Sequence, residues 1–171
     1  ALLLRDLLKD SDYKVVFKVT GFGGFGKVKL LRDRTRGSCI SIDYYGELPA
    51  SDYERCLSAC HGALALKLPD TEMGKTTFPS KVVEIASKKL LLITTPVSDV
   101  PYIFNQSNAV ILDDVSPDGL ADAIFRICKE PIKMKLIAEA GQVRAFSCFG
   151  SDQVGRGIAR FIEAGPATIE L

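Results

Sequence analysis

No apolar run in this sequence approaches the roughly 20 residues of a membrane-spanning helix, and no signal-peptide pattern opens the chain. A soluble domain without a membrane span is therefore expected. Charge of one sign is also lacking: 22 Lys and Arg stand against 21 Asp and Glu, a formal net of +1. That balance leaves no broad electrostatic footprint for nucleic acid or acidic lipid, so nucleic acid is excluded as an expected partner. There is no internal repeat and no low-complexity segment. Histidine occurs once, at His61, and the five cysteines are odd in number and lack metal-site spacing. Cys56, Cys60 and Cys128 fall in apolar segments, which predicts buried thiols in a reducing compartment. The expected location is the cytoplasm, either free or peripheral to the inner face of the membrane.

What is present fits one domain. At 171 residues the chain can bury a core without staples, and residues 1–171 read as a single unit whose last part, 148–171, is a terminal helix and tail. The chain begins without Met in a Leu-rich stretch, which suggests a fragment. Leu3, Leu4, Leu7 and Leu8 recur at helical spacing. Tyr13 to Thr20 reads as a strand, Val28 to about Arg36 as a helix closed by Gly37, and Cys39 to Tyr45 as a second strand. Ser51 and Glu54 have the spacing of a capping box, and the helix they open carries Tyr53, Cys56, Leu57 and Cys60 on one face. Ala63 to Leu68 and Leu90 to Thr95 are apolar strands, with a loop from Pro69 to Thr77 after the first. A short helix over Asp99 to Asn105, a strand at Ala109 to Leu112 and a helix capped by Ser116-Pro117 follow. Two helices, Ile132 to Phe146 and Asp152 to Glu163, end the chain around the break at Gly150-Ser151. Strands alternating with helices, several uniformly apolar, predict a doubly wound, Rossmann-like α/β domain with a parallel sheet. In that fold ligands bind beyond the carboxyl ends of the strands.

One such end leads into Thr76-Thr77-Phe78-Pro79-Ser80-Lys81-Val82-Val83-Glu84. Pro79 suits the first turn of a helix starting near Phe78, whose N–H groups and positive end would favour phosphate. Thr77, Ser80 and Lys81 add hydroxyls and a cation, and Glu84 could accept both hydroxyls of a ribose. The pattern predicts a nucleotide-diphosphate site. An ordinary surface ion pair of Glu84 with Lys81 or Lys88 explains the same spacing.

A second nucleotide signal competes with it. Gly21-Phe22-Gly23-Gly24-Phe25-Gly26 matches the dinucleotide fingerprint of three glycines between a strand and a helix, with Asp43 near the distance of a ribose-binding acid. It suggests a nicotinamide or flavin oxidoreductase. The following helix is short and basic, and Asp43 precedes two tyrosines before Gly46, which leaves the acid inside the strand.

The ordered pieces Gly21 with its strand, Tyr45-Gly46-Glu47-Leu48-Pro49, Leu57 to Leu64, and Phe78 to Glu84 resemble the C-terminal half of a family 4 (group 1) glycosyltransferase. Leu92 to Val97, Asn108 to Leu112 and Ser116 to Ile127 resemble the next strands and helix of that family. The resemblance covers most of the chain. It implies the donor-binding half of a two-domain GT-B enzyme that holds a nucleotide-diphosphate sugar and transfers it with retention, without a metal or a cofactor. It implies donor contacts at Gly21, Gly23, Gly46, Leu48, Thr76, Thr77, Phe78, Pro79, Ser80, Lys81 and Glu84. Glu84 corresponds to the second glutamate of the family's pair, the one on the donor ribose. Thr76 stands where the first glutamate would, and Glu72 is four residues too early to replace it. Phe78 to Lys81 is a variant start shared with capsule and lipopolysaccharide enzymes, which points to surface polysaccharide or glycoconjugate synthesis. The family's first strand, its diphosphate-gripping basic pair and its acceptor-binding N-terminal domain are missing from this chain, so the fragment should not catalyse alone. The catalytic base is not assigned.

His61 reads as a hydrogen-bonded structural histidine. Cys56, Cys60 and His61 lack a fourth ligand for a metal. Lys75 and Lys81 could each neutralise phosphate, and Lys81 lies within the motif. Substitution of a glutamate by Thr76 keeps a non-catalytic nucleotide-binding domain open as a third reading.

Overall fold

The structure, a computed structural model, describes residues 1–164, so the tail predicted after the last helix lies outside the described residues. In chain order the elements are α1 (Leu2–Leu8), β1 (Val15–Thr20), α2 (Phe25–Thr35), β2 (Ile40–Gly46), α3 (Ala50–Ser58), β3 (Gly62–Ala65) and α4 (Glu72–Thr76). Then come α5 (Lys81–Ser87), β4 (Leu91–Thr94), α6 (Val100–Ile103), β5 (Val110–Ile111), α7 (Pro117–Lys129), α8 (Pro131–Phe149) and α9 (Ser151–Ala164). The α/β alternation read from the sequence is present, and the strands form a two-stranded sheet β1–β2 and a three-stranded sheet β3–β4–β5. The chain divides into two compact units, residues 1–63 with 112–135, and residues 64–111 with those from 136 onward. No helix among the described residues is long and apolar enough to cross a membrane.

In the first unit β1 and β2 run parallel, from Val15 opposite Ile40 to Thr20 opposite Gly46, with an irregularity between Val19 and Thr20. The leucines of α1 divide by helical spacing: Leu4 and Leu8 are buried, whereas Leu3 and Leu7 are exposed. Leu4 and Leu8 pack with Ile40, Ala121 and Ile124, flanked by Val15, Phe17, Leu120 and Phe125. Burying a leucine side chain is worth about 1.5–3 kcal/mol, so this cluster carries much of the unit's stability. Helix α7 starts as expected. The Ser116 hydroxyl accepts from Gly119 N–H at 3.1 Å and donates to Asp114 Oδ2 at 2.7 Å, while Ser116 N–H donates to Asp114 Oδ1 at 2.8 Å. These two bonds from Ser116 hold the Asp114 carboxyl below its ordinary range.

Helix α3 departs from the expected capping box. It begins at Ala50 after Pro49, with no side-chain cap. Asp52 and Tyr53 N–H groups donate to the Pro49 carbonyl, which places Ser51 inside the first turn. The N-cap is Pro49, two residues earlier than the Ser51–Glu54 spacing implies.

In the second unit β4 is buried along its whole length, as its uninterrupted apolar run predicts. It runs parallel to β5, Ile93 opposite Val110 and Thr94 opposite Ile111. Two buried hydroxyls extend the tie to the β3 side: Thr94 Oγ1 donates to Ala65 O at 2.8 Å, and Thr95 Oγ1 donates to Lys67 O at 2.7 Å and accepts from Lys67 N–H at 3.0 Å. β3 itself is shorter than the expected Ala63–Leu68. The expected loop 69–77 contains a helix, α4, capped by Thr71, whose hydroxyl accepts from Gly74 N–H at 3.1 Å and donates to Leu68 O at 2.8 Å. Gly74 hides this helix from a propensity reading, since glycine is about 1 kcal/mol poorer than alanine in a helix. It is needed because a methyl there would overlap the Leu68 carbonyl oxygen.

Three outcomes test this description. Ser116→Ala should cost about 1 kcal/mol in a denaturant titration, and Ser51→Ala only a few tenths, because only the first hydroxyl caps a helix. Equal losses would restore the capping box. Gly74→Ala should lower stability by about 1–3 kcal/mol through the forced contact with Leu68, despite its better helix propensity. The Asp114 contribution should be intact above the usual aspartate range near pH 4 and vanish as pH falls through its lowered folded value, which a pH series of Ser116 and Asp114→Ala variants would show.

Candidate functional site

Within the second unit a cavity of about 300 Å³ opens where the chain leaves β3. Its floor is Leu64 to Lys67 and its wall Thr77 to Lys81. Lys67, Lys81 and Ser80 are among its lining residues, and no carboxylate is. A larger recess of about 710 Å³ in the same unit lies beside Val83, Ser87, Phe146 and Phe149. It carries both Asp152 and Arg156. Cations without acids select anions, whereas mixed charge and size alone select nothing in particular, so the smaller cavity is the candidate.

The wall is built differently from the expected helix start. α5 begins at Lys81, not near Phe78, and spans seven residues. Proline disfavours helical backbone at the residue before it, which keeps Phe78 out of the helix. The first amides of α5 are already used: Val82 N–H donates to Pro79 O at 2.9 Å, Val83 N–H to Ser80 O at 3.1 Å and Glu84 N–H to Ser80 O at 3.3 Å. Three amides of the expected seat are therefore bonded within the turn itself. Pro79 is buried, Ser80 exposed. The Phe78 ring meets Phe149 at 5.9 Å between centroids, anchoring the turn to α8.

Thr76 ends α4 and donates its hydroxyl to Glu72 O at 2.7 Å. Thr77 is extended, and its carbonyl accepts from Lys67 Nζ at 3.1 Å. Lys67 went unnoticed in the sequence; the only signal was one cation inside the apolar run Leu64–Leu68. Glu84 stands one turn along α5 beyond the cavity wall, about one-third exposed, and Lys81 Nζ lies 3.8 Å from its Oε2. The ion pair offered as the ordinary explanation thus forms with Lys81, at a length and exposure worth less than about 1 kcal/mol. Lys75 and Glu72 are exposed on α4.

The remaining expected contacts lie in the first unit. Gly21, Gly23 and Gly46 have φ of 121°, 69° and 65°, which glycine adopts without strain. Gly21 N–H donates to Gly46 O at 2.7 Å, and the Tyr44 hydroxyl donates to Gly21 O at 3.2 Å and Gly23 O at 3.1 Å. Tyr44 is a second residue that sequence reasoning missed. Leu48 is half-buried in the turn before α3. Asp43 sits inside β2, opposite Lys18 and exposed, rather than at the strand's end where a ribose-binding acid belongs.

His61 is exposed at the entry to β3, so the expected structural histidine is a surface one. Its position in the turn before a short strand gives it no cover. Cys60 lies half-buried, its thiol bonded to Cys56 O at 3.3 Å. Burial pushes that thiol up, with Lys18 opposing and Cys56 adding to the shift. Burial, then proximity to Cys39, does the same to Cys128. Among the described residues no group of three or more His, Cys, Asp or Glu is placed to hold a metal.

No protein-family model matches the chain, and no curated protein matches it in sequence. Solved structures do match in shape. The Anabaena protein HepE, in complex with UDP-glucose, is 18% identical with a TM-score of 0.66, over 96% of this chain and 45% of that one. Sucrose-phosphate synthase from Thermosynechococcus elongatus is 13% identical with a TM-score of 0.59, over 96% of this chain and 50% of that one. AviGT4, a glycosyltransferase involved in avilamycin A biosynthesis, is 12% identical with a TM-score of 0.54, over 95% of this chain and 46% of that one. The chain spans about half the length of these proteins. At such identities the likeness is one of fold, and the fold is α/β with parallel sheets flanked by helices, Rossmann-like as in part of these GT-B structures.

Proposed function

We propose that the chain binds the diphosphate of a nucleotide sugar and serves as the donor half of a glycosyltransferase. The observation that carries the reading is the cavity at the β3 exit with Lys67 and Lys81 on its walls and no lining carboxylate. HepE, which shares the fold, was solved with UDP-glucose. Two ammonium groups and a hydroxyl suit a diphosphate, and they would stabilise the charge that develops on it as the sugar departs. Lys67 supplies a cation that the motif reading left to segments outside the chain. Glu84, one turn beyond, takes the ribose diol, and its long pair with Lys81 is weak enough to exchange for those hydroxyls.

In this reading residues 1–171 form one nucleotide-sugar-binding domain. Turnover needs an acceptor-binding domain as partner, and the sugar leaves with retention, for surface polysaccharide or glycoconjugate synthesis at the cytoplasmic face. Thr76 has its hydroxyl engaged with Glu72 O and supplies no carboxylate to the donor sugar.

Calorimetry with UDP, GDP and UDP-glucose tests the proposal directly. Lys67→Met should weaken nucleotide-diphosphate binding by about 1.5–3 kcal/mol, the worth of a hydrogen bond to a charged group. Lys75→Met, on exposed α4, should change affinity by less than about twofold. Glu84→Gln keeps size and helix propensity and should cost about 1.5–3 kcal/mol of affinity with an unchanged melting temperature. No binding of any nucleotide diphosphate would end the reading, and unchanged affinity in folded Glu84→Gln would remove the ribose assignment. Binding of NADH instead would favour the dinucleotide reading of Gly21 to Gly26.

A further inference from the structure

The threonine that follows β4 is not among the residues lining the cavity, yet it selects one that is. Thr95 is buried, and its hydroxyl donates to Lys67 O at 2.7 Å and accepts from Lys67 N–H at 3.0 Å. One side-chain group thus meets both backbone polar groups of a single residue, as a facing residue does in a strand ladder. Its neighbour Thr94, also buried, donates to Ala65 O at 2.8 Å. Ala65 and Lys67, the residues held, are alternate members of the chain, which is the period of a strand.

The choice of residue matters for the chemistry. Along a strand the N–H and C=O of one residue point to one side and those of the next to the other, and the side chains alternate in step. A hydroxyl that holds both groups of residue 67 therefore rejects residues 66 and 68, whose polar groups point away. Those two neighbours are Leu66 and Leu68, both exposed. A slip by one residue would put a leucine where Lys67 stands and take its cation from the cavity wall. In the register observed, Lys67 is a lining residue, and its Nζ donates at 3.1 Å to the carbonyl of Thr77, another lining residue.

We infer that Thr95 is a positioning residue: its hydroxyl sets the register of the segment leaving β3 and so places the Lys67 ammonium at the candidate diphosphate site. The ligand in that statement rests on the function proposed above, whereas the placement of Lys67 is a property of the chain alone. A hydroxyl is suited to the task because it gives and takes a hydrogen bond at once, and valine, of the same shape, does neither. Thr94 performs only the structural half, since Ala65, the residue it holds, has no polar side chain to present.

Two measurements on the full chain test it. In trace acetylation with N-hydroxysuccinimidyl acetate, read by mass spectrometry, Lys67 should react several-fold more slowly than exposed Lys75, because its amine must first leave the Thr77 carbonyl. Thr95→Val should remove that difference, and Thr95→Ser should restore it. Thr94→Val loses a hydroxyl of similar burial; it should lower the melting temperature and leave Lys67 slow. Thr95→Cys, whose thiol bonds weakly and tolerates burial, gives the same reading where the valine chain does not fold. In calorimetry with UDP, Thr95→Val should weaken binding about tenfold, and combined with Lys67→Met it should lose no more than Lys67→Met alone. Equal labelling of Lys67 in the wild type and Thr95→Val would overturn the inference, as would equal loss of protection in Thr94→Val. Additive UDP losses in the double variant would do the same. Absence of UDP binding by the wild type would end the donor reading, and the labelling would still decide whether Thr95 places Lys67.

Discussion

Two buried threonine hydroxyls at the end of β4 fix the part of the second unit on which its candidate chemistry rests. Thr94 and Thr95 cannot reach water, and an unpaired hydroxyl in the interior would cost about 1–3 kcal/mol. Each meets a carbonyl on the segment leaving β3, Ala65 for Thr94 and Lys67 for Thr95, and Thr95 also receives Lys67 N–H. Side chains thereby continue a strand pairing after the regular ladder has stopped. The backbone of Lys67 is held at both polar groups, and its ammonium is directed to the Thr77 carbonyl across the cavity. The cation is presented by a backbone clamped from the neighbouring strand.

The opposite wall follows the same economy of local rules. Thr71 caps α4 with one hydroxyl that accepts from Gly74 and donates to Leu68, and Gly74 lets the helix lie against the Leu68 carbonyl. Phe78 and Pro79 then force an extended exit and a tight turn, and α5 starts with its first amides already bonded. A longer helix beginning at Phe78 would offer open N–H groups to a ligand. In this shorter one the polar side chains lining the cavity are those of Ser80, Lys81 and Lys67, so the groups at the wall are a hydroxyl and two ammonium-bearing chains rather than a row of open amides.

In the first unit, positive-φ glycines and one tyrosine make a rigid loop where a dinucleotide motif could be read. Only glycine takes the backbone of Gly21 and Gly23 without strain, so the glycines are explained by conformation alone. Asp43 shows why spacing misleads: it is near the right distance in sequence, but pairing of Lys18 with Asp43 puts it in the middle of a parallel ladder.

The sequence by itself determined the alternation of strands and helices, the helix α1, the buried run of β4 and the Ser116 cap, because each is written in a period or a local hydrogen bond within four residues. It also placed the start of a helix within Thr76 to Glu84. Tertiary structure decided where α5 begins, that α4 exists, that Ser51 caps nothing and that His61 is exposed. It alone revealed Lys67 and Tyr44, whose roles arise from partners ten and more than twenty residues away. Such contacts leave no period in the chain, since a donor and a distant carbonyl constrain neither propensity nor spacing until the fold brings them together.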